Sequence, residues 1–469
     1  MDMHDKVSPG NEPGRRTDRP GCGATGERPG QGGGCAFRGA KLALQPIADV
    51  AHLVHGPITC QGHSWDSRPT GSSGARLHRS TFITDLGELD VIYGGEPKLA
   101  RAIAEIAAKY DPAAIFVYQT CLPAMIGDDV AAVCKAAAAR CGRPVIPVIA
   151  PGFAGDKDYG NEFAGGVLLD RVIGSAEPEE LTGADINIIG EYNVAGELGQ
   201  IAPLLRELGI RVLASIPGDG RFAAIARSHR ARAAVSLCSR ALANLARRMR
   251  ERLGIDYVEG SFYGISNTSG TLRALAVLLA ERGGPADLPA RAEALVKREE
   301  ARAWSLLAAC RRRLEGKRVL LATGGVKSWS LVSALREAGL TVVGTSMHKS
   351  TERDRQKALT ATAGGGCLYD DLSAQNMDLL LQDGHVDVVL SGFGGQFTAA
   401  RARAAWVEIN HHRRLPLTGY AGMVRLVADI DRACASPVFG QARSRAPWDQ
   451  TVLGPGSDLG RKGFGVWPG

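Results

Sequence analysis

The sequence contains no apolar run long enough to cross a membrane. Its longest apolar stretches cover residues 113–118 and 145–149, far short of the roughly 20 residues that a bilayer span requires. The N-terminal residues are charged and lack the apolar core of a secretory signal. We therefore expect a cytoplasmic protein.

The sequence also lacks the motifs that accompany nucleic-acid binding. Its 56 lysines and arginines outnumber its 49 aspartates and glutamates, giving a formal net charge of +7. No helix-turn-helix, zinc-finger spacing or interleaving of aromatic and basic residues accompanies this charge. The excess is typical of a solvated surface, and a small anionic ligand fits it better than nucleic acid does.

None of the ten cysteines belongs to a ferredoxin-type run or a zinc ribbon. Because disulfides are rare in a reducing cytoplasm, metal ligation or plain burial has to explain these cysteines. Five of them lie in helical patterns or in settings without a clear turn, and we interpret them as core or surface residues: Cys134, Cys141, Cys310, Cys367 and Cys434. Cys22 lies in a glycine-rich tail and is left unassigned.

A unit of a short β-branched run, a loop and an amphipathic helix recurs along the chain. One example is the run at 114–118, which precedes a helical pattern at about 129–140. Such alternation predicts parallel sheets with helices on both faces. We predict an α/β protein of three doubly wound, Rossmann-like domains. The predicted segments are a flexible tail at 1–33, domains at 34–180, 181–310 and 311–440, and an irregular tail at 441–469.

Four cysteines follow glycine-containing turns or the ends of apolar runs, namely Cys35, Cys60, Cys121 and Cys238. The backbone at such loops is not committed to a sheet ladder, so a thiolate there can reach a soft metal. Iron-sulfur clusters prefer thiolate ligands. The alternative is that each cysteine is a small buried hydrophobic residue, and the residues alone do not decide between the two.

Seven distinctive motifs are distributed along the chain. They are CAF at 35–37, PIADVAHLVHGP at 46–57, FVYQTC at 116–121, IGEYN at 189–193, EGSFYGI at 259–265, TGGVKSWS at 323–330 and KSTE at 349–352. Together these motifs resemble the nitrogenase component 1 family, from about residue 33 to about residue 447. Within that family they look most like the scaffold subunits on which the nitrogenase cofactor is assembled.

This resemblance implies different roles for the four cysteine thiolates. Cys35, Cys60 and Cys121 match positions that, together with one cysteine of a partner subunit, hold a 4Fe-4S cluster at the subunit interface. Cys238 matches the cysteine that binds one end of the iron-molybdenum cofactor in the catalytic subunit. In a scaffold Cys238 would hold or orient the cofactor precursor, and no residue is assigned a catalytic role.

The resemblance also implies partners and cargo. The chain would pair with an N-type scaffold subunit as a heterotetramer and receive an iron-sulfur core from a radical-SAM cluster donor. It would accept molybdenum and homocitrate with the help of the reductase iron protein, and apo-nitrogenase would be the acceptor of the product. No nucleic-acid or membrane partner is expected.

Several polar residues are candidate contacts for an anionic precursor. Residues 324–328 lack the full spacing of a phosphate loop, so we do not expect nucleotide binding. The segment nevertheless lies between a predicted strand and a predicted helix, where amide donors and the helix dipole favour an anion. Lys327 and Ser328 are therefore predicted to contact the precursor, and Arg68 and Lys349 are further candidates.

Alternative functions remain open. A catalytic nitrogenase α subunit has a second cofactor ligand, a histidine, late in its third domain, whereas residues 408–410 of this chain read Glu-Ile-Asn. His411 and His412 follow directly, which leaves open a catalytic subunit or a vanadium-system scaffold. A protochlorophyllide reductase-like oxidoreductase is disfavoured by the setting of Cys238. The last alternative is a metal-free Rossmann-like binding protein. The sequence does not decide whether the chain is an enzyme; if it is, a nitrogenase-like oxidoreductase is expected.

Overall fold

The computed structural model describes residues 34–61, 80–238, 242–347, 350–362, 365–370, 372–381 and 386–444. In these ranges the chain forms three parallel sheets flanked by helices. This arrangement confirms the predicted fold class, while the domain boundaries remain a prediction. Within the same ranges, no helix is both long and apolar enough to cross a membrane.

The first sheet carries the N-terminal half of the candidate site. Its elements are α1 (Ala36–Leu44), β1 (Ala51–His55), β2 (Thr81–Ile83), α2 (Glu88–Tyr93), α3 (Glu96–Tyr110), β3 (Ile115–Gln119), α4 (Cys121–Ile126), α5 (Val130–Cys141), β4 (Val145–Val148) and α6 (Lys157–Arg171). The strand order is β2-β1-β3-β4, with every pair parallel. β1 and β3 are buried at every position, as expected for central strands of a parallel sheet covered on both faces.

The second sheet is also parallel and has the order β6-β5-β7-β8. Its elements are β5 (Asp185–Glu191), α7 (Leu198–Glu207), β6 (Arg211–Pro217), α8 (Phe222–Arg227), β7 (Ala233–Ser236), α9 (Ala243–Leu253), β8 (Tyr257–Glu259), α10 (Ile265–Glu281) and α11 (Leu288–Leu314). The long helix α11 packs against α10 and continues toward the third sheet.

The third sheet has five parallel strands in the order β11-β10-β9-β12-β13. Its elements are β9 (Arg318–Leu321), α12 (Val326–Glu337), β10 (Thr341–Ser346), α13 (Glu352–Ala361), β11 (Cys367–Tyr369), α14 (Ala374–Leu381), β12 (Val388–Ser391), α15 (Gly394–Arg401), β13 (Ala405–Glu408), α16 (Gly419–Ala435) and α17 (Pro437–Arg443). The second and third groups of elements share one continuous apolar core, which includes Ile186, Leu275, Leu331 and Val427. The carboxyl ends of the second and third sheets are therefore held in a fixed relation to each other.

Candidate functional site

Three of the predicted metal ligands lie at the carboxyl edge of the first sheet. Cys60 follows β1 and ends a short 3-10 turn at Ile58–Cys60, and Cys121 follows β3 as the first residue of α4. Cys35 immediately precedes α1. Because β1 and β3 are adjacent parallel strands, the loops that follow them lie side by side.

The structure brings these three cysteines together. A Cβ atom added to Gly152 would lie 2.8 Å from the Cys121 Sγ and 3.3 Å from the Cys35 Sγ. Burial raises the pKa of the Cys60 thiol above its ordinary value, and the neighbouring Cys121 and Cys35 raise it further. All three side chains are half-buried, so they remain within reach of a ligand at the surface.

This set of residues fits an iron-sulfur cluster. It offers three thiols, and two of them approach Gly152 so closely that a side chain there would collide with them. Among the described residues, no three His, Cys, Asp or Glu side chains converge on the position of a single ion. A 4Fe-4S cluster does not need such convergence, because each of its thiolates binds a different iron atom. The three thiols are one fewer than the four thiolates that usually bind a 4Fe-4S cluster.

Several large apolar side chains are exposed near the three cysteines. Ile58, Met125 and Phe153 are 57%, 76% and 64% exposed, and each lies close in sequence to Cys60, Cys121 or Gly152. Helix α2 packs beside α4 and exposes four large apolar side chains, of which Leu89, Ile92 and Tyr93 are the most exposed. We call the six residues the apolar rim: Ile58, Leu89, Ile92, Tyr93, Met125 and Phe153. A clustered exposed patch of this kind marks an interaction surface.

The two described histidines of this domain are hydrogen-bonding residues. His52 Nδ1 lies 2.8 Å from the Tyr118 hydroxyl, and its Nε2 lies 3.1 Å from the Ile47 carbonyl oxygen. Burial lowers the pKa of His52 to about 4, so the ring is neutral near pH 7. His55 is equally buried and is bonded to Asp128.

Cys238 lies at the carboxyl edge of the second sheet, two residues after β7. Its loop is pressed against β5, where the Leu237 amide donates to the Ile189 carbonyl oxygen at 2.8 Å. Gly190 has a φ of 89°, and a Cβ atom there would lie 2.7 Å from the Cys238 Cβ. Only glycine accommodates both that backbone conformation and that close approach.

Beside Cys238 lies a group of charged and polar side chains that we call the charged junction: Glu191, Glu197, Tyr263, Lys327 and Arg413. Tyr263 interacts electrostatically with Cys238, and the Lys327 Nζ lies 5.3 Å from the centre of the Tyr263 ring. Burial lowers the pKa of Lys327 to about 7, and the nearby Arg413 guanidinium lowers it further. The predicted contact residue Lys327 therefore lies in the same region as Cys238.

A buried ion pair joins the second and third sheets within the charged junction. The Arg413 guanidinium donates to Glu197 and to the Asn410 carbonyl oxygen, and both paired side chains are almost fully buried. Burial alone would raise the pKa of Glu197, but Arg413 and the Ala195 amide outweigh it and lower the pKa. Burial, with Glu197 next to it, raises the pKa of Glu191 to about 7.

Sequence reasoning missed most of the charged junction. Glu191 offered one signal, since it is a carboxylate directly after the apolar run of β5. Arg413 and Glu197 offered none, because they are 216 positions apart. Gly152 was also missed, because only its contacts with two distant cysteines distinguish it from an ordinary loop glycine.

The other predicted contact residues have different positions. The Ser328 side chain is buried, and its hydroxyl donates to the Ser346 carbonyl oxygen at 2.7 Å. That proton is therefore engaged within the fold, and a role for Ser328 toward a ligand stays a prediction. Arg68 and Lys349 lie outside the described residues.

The loop after β13 turns Arg413 inward rather than a histidine. Ile409 is fully buried, and Asn410 accepts from the Thr323 hydroxyl at 3.0 Å. His411 and His412 are both exposed. They line an open cavity of about 480 Å³ on the third sheet, together with Phe393 and neighbouring residues.

Comparison with known proteins gives consistent matches over most of the chain. The model of the family described as "Nitrogenase component 1 type Oxidoreductase" matches residues 35–435. The nitrogenase iron-molybdenum cofactor biosynthesis protein NifE of Bradyrhizobium diazoefficiens is 54% identical over 447 residues, which cover 92% of this chain and 82% of that protein. The NifE proteins of Rhodobacter capsulatus and Klebsiella pneumoniae are 50% and 46% identical, covering 90% and 94% of this chain and 89% and 99% of their own lengths.

Solved structures agree with these matches. The structure of nitrogenase Cp1 at pH 5 superposes with a TM-score of 0.78 at 26% identity, covering 88% of this chain and 90% of that one. The resemblance drawn from the seven motifs is thereby confirmed. This chain belongs to the nitrogenase component 1 family.

Proposed function

We propose that this chain is a scaffold subunit for the assembly of the nitrogenase iron-molybdenum cofactor. The observation that carries the proposal is the grouping of Cys35, Cys60 and Cys121 at one edge of the first sheet. Relatives named for cofactor biosynthesis, 54% and 50% identical over most of the chain, support it. No helix in the described part of the chain could span a membrane, which is compatible with the proposed action in the cytoplasm.

In this proposal the three thiolates bind three irons of a 4Fe-4S cluster, and a partner subunit supplies the fourth thiolate. The apolar rim supports a partner at this edge, because it leaves large apolar side chains exposed around an incomplete ligand set. The partner would be an N-type scaffold subunit in a heterotetramer. Such a cluster supplies one-electron transfer when bound, and the chain's own residues bind it and shield it from water.

The cofactor precursor is the cargo in this proposal. The Cys238 thiolate would bind one end of the precursor. This anionic cluster would favour the protonated, positively charged form of Lys327, whose pKa burial lowers to about 7. The precursor's core would come from a radical-SAM donor, and molybdenum and homocitrate would be added with the reductase iron protein. Buried Ile409 and the engaged side chain of Asn410 offer no second metal ligand. A single thiolate suits release to apo-nitrogenase better than permanent retention.

Anaerobic coexpression of the full chain with an N-type subunit tests the proposal. We expect a brown complex with the electron paramagnetic resonance signal of a 4Fe-4S cluster, and we expect Cys60→Ala to lose that signal and its iron. Cys141→Ala is the matched control, because Cys141 is also half-buried in the same domain but lies outside the group. Full iron content in the Cys60→Ala complex would refute the assignment.

The same complex tests the role of Cys238. Cys238→Ala should keep the 4Fe-4S signal, because Cys238 lies on a different sheet from the three grouped cysteines. It should lose the additional iron of the precursor when the donor protein is present. Equal precursor iron in the Cys238→Ala complex and the unmodified complex would show that another group holds the cargo. A turnover activity without transfer of cargo would favour a catalytic subunit instead.

A further inference from the structure

We propose that His55 and Asp128 form a positioning pair that fixes the loop bearing Cys60 against the helix that begins at Cys121. The inference rests on the proposed cluster function and deepens it. Neither residue is a ligand. The pair acts through the backbone segments that it connects.

The pair is fully enclosed by protein. His55 Nε2 lies 2.9 Å from Asp128 Oδ2, and the side chains are 0% and 3% exposed. A carboxylate only accepts hydrogen bonds, so the ring donates from Nε2 to Asp128. His55 Nδ1 lies 3.1 Å from the Thr84 hydroxyl, which can donate to it. Both ring nitrogens are therefore engaged.

The pair brackets helix α4 at both ends. Before the helix, Thr120 donates from its amide and its hydroxyl to the His55 carbonyl oxygen, at 3.2 Å and 2.9 Å. After the helix, Asp128 accepts from the His55 ring and donates its amide to the Pro123 carbonyl oxygen at 3.0 Å. One residue, His55, thus contacts the segments on either side of Cys121.

The same residue directs the loop that leads to Cys60. His55 is the last residue of β1, and the Gly56 amide donates to the Thr84 hydroxyl at 3.1 Å. A Cβ atom on Gly56 would lie 2.1 Å from the Thr120 Oγ1. The start of the Cys60 loop is therefore in direct contact with the residue that precedes Cys121.

Stability alone does not account for the pair. Burying the Asp128 carboxylate carries a desolvation cost, which offsets much of the stabilisation that its hydrogen bonds contribute. Within the described residues, every hydrogen bond of the two side chains goes to Thr84, to the Gly95 amide or to the other member of the pair. These contacts fix backbone positions, and a ligand set for a metal site requires positions held within about 0.5 Å.

The test uses the full-length complex coexpressed anaerobically with an N-type subunit. Asp128→Ala removes the contact between the His55 ring and the segment that follows α4. We expect at least a twofold loss of cluster iron, with changed g-values and midpoint potential in the remaining cluster. Asp128→Asn should restore most of the cluster iron and of the signature. Its amide oxygen can accept from the Gly95 amide, and its NH₂ group can donate to His55 Nε2 when the ring carries its proton on Nδ1 and donates to the Thr84 hydroxyl oxygen. A destabilised fold alone would not change the spectroscopic signature.

Two further variants complete the design. Asp185→Ala removes a buried carboxylate bonded to Arg211 in the second sheet, and it should change stability without changing the signature. Thr84→Val keeps the side-chain shape but removes the hydroxyl next to His55 Nδ1 and Gly56, and it should shift the signature in the same direction as Asp128→Ala, but less. If the Asp128→Ala complex cannot be isolated, Thr84→Val tests whether the pair positions the cluster ligands.

The outcomes separate this inference from the proposed function. A wild-type complex without a cluster defeats the proposed function and the inference together. If the wild-type complex holds a cluster and Asp128→Ala has the same iron content and spectroscopic signature, the positioning pair alone is overturned. Thr84→Val takes the place of Asp128→Ala in this comparison if that variant cannot be isolated. The same spectral change in Asp185→Ala would also overturn it, because the effect would then follow from stability.

Discussion

The edge of the first sheet that carries Cys35, Cys60 and Cys121, called here the cysteine edge, differs in exposure and composition from the charged junction between the second and third sheets. At the edge, three half-buried thiols lie together, two of them beside Gly152, and large apolar side chains are exposed nearby. At the junction, one thiol lies among buried acids and bases drawn from two sheets. The edge exposes large apolar side chains, whereas the Arg413–Glu197 ion pair of the junction is buried within the chain.

This difference predicts how each region affects folding. Removing one member of a buried ion pair leaves a charge without a partner, which is costly. Removing an exposed apolar side chain or filling space beside a thiol leaves no such charge. We therefore expect substitutions at the junction to reduce the free energy of unfolding, and substitutions at the edge to change binding while the chain stays folded.

The largest effect on folding should come from Arg413→Leu. This substitution leaves the buried Glu197 without its guanidinium partner, and we expect the free energy of unfolding to fall by about 3–5 kcal/mol. Urea denaturation followed by circular dichroism measures it. The control is Arg298→Leu, which breaks a solvent-exposed pair with Glu207 and should change little. Equal urea midpoints for the two variants would contradict the distinction between the regions.

A smaller effect on folding, but a large one on assembly, is expected from Met125→Asp in the apolar rim. Met125 is 76% exposed, so the free energy of unfolding should change by no more than about 0.5 kcal/mol. Affinity for the N-type subunit, measured by biolayer interferometry, should fall at least tenfold, because a charge would be buried in an apolar interface. Leu306→Asp on α11 is the control, since Leu306 is 60% exposed far along the chain. The same loss in both variants would exclude the rim as the docking surface.

The most local of the three effects is expected from Gly152→Ala. Gly152 does not have a left-handed φ, so alanine can adopt its backbone conformation, but the added methyl group would lie 2.8 Å from the Cys121 Sγ. We expect reduced cluster iron and an altered resonance spectrum in a normally folded complex. Gly270→Ala on α10 adds a methyl group where no atom lies within 4 Å and should leave both unchanged. An unaltered spectrum in Gly152→Ala would mean that the close approach of the two thiols to Gly152 does not affect the cluster.

The sequence predicted the architecture well because its strand and helix patterns are local. The grouping of Cys60 with Cys121 could be anticipated, since both follow strands of a parallel sheet and such ends share one edge. The Arg413–Glu197 pair could not, because no local pattern links residues 216 positions apart. Nor could the sequence show that the Ser328 hydroxyl points to the Ser346 carbonyl oxygen, since rotamers depend on packing.

The most direct measurement is anomalous diffraction at the iron absorption edge, on anaerobic crystals of the complex with its N-type subunit. The account predicts iron within bonding reach of the Sγ atoms of Cys35, Cys60 and Cys121, with the remaining ligand from the partner. An ordered cysteine edge without iron, in a complex that contains iron elsewhere, would contradict it.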